Sequence, residues 1–496
     1  MDYLSSKNGQ EAFSTLEIML ALAIVVLALT AVVGLVFGSQ RLLVDGQNSG
    51  MALEKSSAML AEAKAFSRAD FYSVNSSAAI TDGLYQKSLS VQDIDEYTKQ
   101  VTGQVSWQTM GHTQEVDLDT LLTDLKSAVG GSTCSQQLTG DWQHPQIITL
   151  DFASLIGDPA GLYPLSNLKA YQGKLYAAVN NTSTNSNKTF FVFDVANPAA
   201  PALLSKIDNS TVSAGPNAVV TDGHYAYVAN GHGANFTTCS QAQNCAQLQI
   251  IDLTQTPPAV ISNFKIPGVT GSAGQSIGQT IIYKRGLIYL GLAKTASGPE
   301  FNIIDVSNPL HPALLGTADI GNGINAIYVR GHYAYVASPN NQELMIFDIT
   351  NPVNPIIAGN YDAPGGGGNA GNGKSLALAG NSLYLGRTGL SGNEFYILDN
   401  SNSQTALRPL GSKDIKNGSS NLSVNGIVVR SHLAFLAADN QFQIWDVSDP
   451  ANINQSIIPA ALPGTSSALD CDGNVLYLAS VDAAKKGYVS VITSAP

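Results

Sequence analysis

Charge is scarce in this sequence, and positive charge is the scarcer sign. Lys and Arg number 25 against 37 Asp and Glu in 496 residues, for a formal net charge of −12. A protein that grips a nucleic-acid backbone needs a basic face, so that class is excluded. Cysteine is equally sparse, at 4, and no Cys–His spacing matches a zinc site. Cys239 and Cys245 share the loop TTCSQAQNC and are placed to staple it, whereas Cys134 and Cys471 lie far apart. An even count favours disulfides over redox or metal chemistry on an exported chain. There is no nucleophile elbow, HExxH pair or phosphate loop. The run GGGGNAGNG at 365–373 lacks the strand-then-helix context of a nucleotide site and reads as a connecting loop. No catalytic residue, metal ligand or cofactor is therefore assigned.

One long apolar run is present. Residues 13–37 read FSTLEIMLALAIVVLALTAVVGLVF, and 18–37 carry no charge, enough helix to cross a bilayer core of about 30 Å. A secretory signal would place its small-residue cleavage site after such a run; here the polar stretch MDYLSSKNGQEA precedes it. This arrangement resembles the leader of type IV pilins and pseudopilins. The resemblance implies cleavage by a prepilin peptidase between Ala12 and Phe13, methylation of Phe13, and a Glu17 that pairs with the amine of a neighbouring subunit. It departs from the family's pattern in having Ala12 where a glycine is usual. Beyond the run, Ala52, Leu53, Met59, Leu60, Ala63 and Phe66 keep one apolar helical face. Asp45, Gly46, Asn48 and Gly50 predict a kink or melted turn between the two halves. Residues 84–123 contain VTGQVSW and QEVDLDTLL, whose period of two predicts an antiparallel meander.

From about residue 145 the text repeats. HYAYVAN (224–230), HYAYVAS (332–338), LIYLGLA, KLYAAVN, SLYLGRT, HLAFLAA and VLYLASV align, and a second apolar strand follows each. Six of those end in aspartate: Asp194, Asp252, Asp305, Asp348, Asp399 and Asp446, with Thr493 in the seventh. Another short strand precedes each hairpin and a less regular one follows, which makes four strands per unit. Such units bury their faces only by stacking radially. FNIIDVSNP and LMIFDITNP resemble the LVIVD-type propeller repeats of bacterial and archaeal surface proteins.

The expected fold is an N-terminal long pilin-like α-helix with a small antiparallel sheet, followed by an all-β seven-bladed propeller. Its expected parts are a leader at 1–12, a helix at 13–70, a head or spacer at 71–143 and the propeller at 144–496. The strand at 145–152 is expected to complete the last blade, with Cys134 and Cys471 stapling the closure.

Each repeated aspartate is expected to cap the turn beyond its strand. Asn167, Asn217, Asn325 and Asn425 share a position ahead of the innermost strand. Their side chains are candidates for binding at the channel mouth, a cation included, against a plainer role in turn hydrogen bonds. His224, His332 and His432 recur by repeat and are spread around the ring. Loops at 230–247 and 268–278 are candidate recognition surfaces.

Taken together, these readings imply a minor or tip pilin-like subunit whose propeller serves adhesion or ligand binding. It would be single-pass in the inner membrane before assembly and then part of an extracellular filament. The expected partners are other pilin subunits, the prepilin peptidase, and an unknown surface, glycan or protein, with no nucleic acid. The alternatives are a pseudopilin-like component of a type II-like secretion system and a surface-anchored propeller enzyme.

Overall fold

The computed structural model describes residues 15–69, 71, 74–95, 98–109, 112–123, 134, 138–180, 188–208, 215–230, 246–270, 276–339, 342–364, 373–389, 392–400 and 407–495. The chain divides into two units, Met1–Asp93 with Thr98–Thr123, and Ile94–Tyr97 with Asp124–Pro496.

The first unit is one helix and one sheet. The helix α1 spans Thr15–Ala69 without interruption, so of the kink or melted turn expected at residues 45–50 the melted turn is absent. Gly46 and Gly50 stand in open space, where each weakens the helix by about 1 kcal/mol without meeting any neighbour. Packing just beyond them holds the helix: Ala52, Ser56 and Ala63 are buried. The four strands Ser77–Asp82, Tyr85–Asp95, Thr98–Thr109 and His112–Thr123 pair antiparallel in chain order. Thr98–Thr109 alternates between buried and half-buried residues along most of its length, which places Val101, Val105 and Trp107 in the helix–sheet core. Ser56 Oγ donates to Gly103 O at 2.7 Å. A Cβ at Gly103 would stand 2.8 Å from that oxygen, so glycine sets how closely helix and strand approach.

The expectation of a single-pass inner-membrane protein that later joins an extracellular filament is not met. Among the described residues no helix is long and apolar enough to cross a membrane. Freedom from charge over residues 18–37 is a looser criterion than mean apolarity along a span.

The second unit is mostly β, built from propeller-like sheets of antiparallel strands. Among the described residues there are seven such sheets, here numbered 1 to 7 in chain order. Their first strands are Leu165–Tyr171, Pro216–Thr221, Gly278–Lys284, Ala326–Arg330, Gly373–Ala379, Val424–Arg430 and Thr465–Asp472. Each first strand neighbours the next, and the seventh neighbours the first. Sheets 1 to 5 each have four strands, and in sheet 6 the outer strand is split into two short pieces. Sheet 7 takes its outer strand from Asp141–Asp151, which pairs antiparallel with Gly487–Ala495 in the register Ile148↔Val491. A short helix α2, Phe152–Leu155, follows, capped where Asp151 accepts Ala153 N at 3.2 Å.

Middle strands are buried on both faces, which is why they read as unbroken apolar runs instead of alternating ones. In Lys174–Val179 every residue after the lysine is buried. Small residues on both faces, such as Ala226 and Ala229 or Ala334 and Ala337, let one sheet stack on the next. The cores lie between sheets: Phe301 of sheet 3 stacks on Phe347 of sheet 4 at 5.0 Å, and Phe152 meets Phe191 edge-on at 5.1 Å.

Candidate functional site

Seven first strands enclose one cavity of about 540 Å³, lined among others by Lys169, Lys284, Arg430, Tyr283, Tyr328 and Asp470. Three bases against one acid make a positive lining in a protein whose net charge is −12. Lys169 Nζ and Asp470 Oδ2 are 3.1 Å apart, and the same oxygen accepts Ala170 N at 2.8 Å. Lys284 and Arg430 each end a first strand, in sheets 3 and 6.

The four candidate asparagines stitch one sheet to the next. Asn167 Oδ1 accepts Val219 N at 3.2 Å, and Asn217 Nδ2 donates to Gly278 O at 2.8 Å. Asn325 accepts Gln279 Nε2 at 3.0 Å and donates to Gly373 O at 2.7 Å. Asn425 donates to Ser466 Oγ at 3.1 Å and to Asp439 Oδ1 at 3.2 Å. Between sheets 5 and 6 a serine takes the role, with Ser375 Oγ donating to Val424 O at 2.7 Å. These groups are spent on neighbouring sheets; only Asn425 Oδ1 is buried with no partner.

The strand-end aspartates behave as turn caps. Asp194, Asp252, Asp305, Asp348 and Asp446 each accept the backbone N–H two residues on, at 2.7 to 2.9 Å. Asp399 pairs with Arg408 at 2.8 Å, and residue 401, where its cap would fall, lies outside the described residues. Hydroxyls and amides of Thr254, Thr350 and Ser448 hold Asp252, Asp348 and Asp446 below the usual carboxylate range. The recurring histidines take part through backbone: the carbonyls of His224, His332 and His432 accept Leu253, Ile349 and Val447 N–H.

Cys134 and Cys471 are joined in a disulfide with Cα atoms 5.1 Å apart. Cys239, Cys245, Ala12 and Phe13 lie outside the described residues, as do most of the loop at 230–247 and 271–275 of the loop at 268–278. Glu17 falls on α1.

A second repeated acid escaped the sequence reading. Glu300, Glu343 and Glu394 stand immediately before the third strands of sheets 3, 4 and 5, and each is 1% exposed. Each accepts a backbone N–H about twenty residues on, from Ile320 at 3.1 Å, Ala363 at 2.6 Å and Ile415 at 2.8 Å. Gln247 does the same in sheet 2, accepting Ile266 N at 2.9 Å. Arg387 completes the Glu343 site with a 2.7 Å ion pair. The signal was in the text, since QLQIID, EFNIID, ELMIFD and EFYILD all open on Glu or Gln.

These sheets match known repeats. The family model described as LVIVD repeat matches residues 296–319, 324–363 and 423–458. The chain is similar to the WD40 β-propeller domain of Doa1, at 10% identity, 71% of this chain, 97% of that chain and TM-score 0.46. It is also similar to a quinonprotein alcohol dehydrogenase-like protein from Bacteroides thetaiotaomicron, at 14% identity, 73% of this chain, 85% of that chain and TM-score 0.41. Among curated proteins none matches. The chain is a β-propeller repeat protein.

Proposed function

We propose that the second unit is a seven-bladed propeller that binds, without transforming, a ligand bearing an acidic group. The carrying observation is the cavity of about 540 Å³, whose lining holds Lys169, Lys284 and Arg430 against the single carboxylate of Asp470. A concave site with a few charged groups among tyrosines and aliphatic residues has the make-up of a small-ligand pocket. Thermal-shift and calorimetric titration with inorganic phosphate and short dicarboxylates tests the reading. Saturable binding lost in Lys284→Met and Arg430→Met supports it; binding unchanged in both variants overturns it.

For the first unit we propose a pilin-like subunit that assembles with like helices. Met19, Leu20, Leu22, Ile24, Leu27 and Val32 are all exposed, and at about 100° per residue they spread around the helix. A helix apolar on all sides requires other apolar surface around it. Mass spectrometry of the mature N-terminus, with and without the prepilin peptidase, tests the processing. A methylated Phe13 terminus that depends on the peptidase supports the reading, and an intact Met1 overturns it.

A further inference from the structure

Glu394 does more than its repeat partners. Its Oε2 accepts Ile415 N and its Oε1 accepts Asn421 Nδ2, both at 2.8 Å. Both donors belong to the connection from sheet 5 to sheet 6, which carries the small hairpin Lys416–Asn417 with Ser420–Asn421. Ile415 and Leu422, at either end of that hairpin, are buried between the two sheets, and Leu422 N donates to Ile415 O at 2.8 Å. The whole connection is thus tied down through one carboxyl group.

Asp414 sits in the same connection. One of its oxygens, Oδ2, faces Lys416 Nζ at 2.5 Å. The other, Oδ1, is buried with no hydrogen-bond partner. A buried acceptor left bare keeps the full cost of its desolvation. The N–H of Ile415, the next residue, donates to Glu394 Oε2 at 2.8 Å, which brings Asp414 beside the Glu394 carboxyl, a group that supplies a hydrogen when protonated.

We propose that Glu394 and Asp414 share one proton, and that losing it unlatches the 414–421 connection. In the latched state the Glu394 O–H donates to Asp414 Oδ1. Deprotonation delivers that proton to water and leaves two carboxylates side by side, of which Lys416 offsets one. The surrounding cations are committed elsewhere. Lys413 donates to Ile453 O at 3.2 Å and lies over Trp445, and Arg387 is held by Glu343. Tyr396 donates to Pro364 O at 3.2 Å.

The titration falls in a useful range. Burial, and then the charge of Asp414, push Glu394 up to about 7 against the lowering pull of the Ile415 N–H. A raised carboxyl is protonated in the folded state where the unfolded chain has already lost its proton. The latch therefore holds fully below the ordinary carboxylate range and is lost as pH rises through 7.

Hydrogen exchange of the full chain, read by mass spectrometry on peptides spanning 414–422 from pH 5.5 to 8.5, tests this after correction for intrinsic rates. The wild type is expected to lose at least about ten-fold protection across pH 7, equivalent to about 1.4 kcal/mol. Glu394→Gln is expected to stay flat, because its amide donates to Asp414 at every pH. A flat wild type, or a variant that falls in parallel with it, overturns the proposal. Should the variant fail to fold, carbon-13 titration of labelled glutamate in the wild type decides. A Glu394 midpoint near 7 supports the shared proton, and one below 5 overturns it.

Discussion

Asp470 reaches Lys169 across 301 residues of sequence, and their charged atoms lie 3.1 Å apart. The contact joins sheet 7 to sheet 1, where the ring has no covalent continuation between consecutive first strands. Asp470 also accepts Ala170 N, and Asp472 accepts Gly173 N, so two carboxylates of one strand hold the next sheet.

Asp470→Ala should therefore destabilise the second unit by about 2 kcal/mol, through an unpaired backbone N–H and a stranded lysine. Denaturant unfolding checks this. Lys169→Met should cost less, because Asp470 keeps its backbone donor.

Reducing the Cys134–Cys471 bridge removes a cross-link between residues 337 apart. Loss of about 2–5 kcal/mol is expected, read as a lower unfolding midpoint with reductant or in Cys134→Ser. An unchanged midpoint would mean that the pairing of Asp141–Asp151 holds the closure alone.

Gly103→Ala places a methyl 2.8 Å from Ser56 Oγ. A loss of about 1–3 kcal/mol in the first unit is expected, followed by the fluorescence of buried Trp107. Combining it with Ser56→Ala should recover part of that loss.

Stability against pH should show two opposed limbs. Asp252, Asp348 and Asp446 are held low by their caps, so their contribution is present above the ordinary Asp value and is lost as pH falls through their lowered one. Glu394 is pushed up to about 7, so its contribution disappears as pH climbs toward and past neutrality. Replacing the three aspartates by asparagine should flatten the acid limb and leave the other unchanged, measured as unfolding midpoints from pH 3 to 8.

Much of this architecture was legible because repetition exposes local chemistry. An aspartate after an apolar run and before Ser/Thr-Asn-Pro needs only its own turn to act, and the five whose turns are described all cap as expected. Asn217 and Asn325 were legible as a shared position but not as inter-sheet stitches, since their partners, Gly278 and Gly373, lie 61 and 48 residues on. The buried glutamates were overlooked because a charge beside a strand reads as solvated until the partner that desolvates it is known. The membrane reading failed differently: it counted charges, which is not a measure of mean apolarity, and among the described residues no helix is long and apolar enough to cross a membrane.

The strand Asp141–Asp151 carries a consequence for synthesis. Thr149 meets its partner Ser490 only after 341 further residues have been made, roughly 17–70 s at about 5–20 residues per second. Through that interval the strand has no lateral neighbour, and its Pro145 offers no N–H to a stray one. Sheet 7 is thus completed only after sheets 1 to 6, and ribosome pausing near residue 487 would leave those six with an open seam.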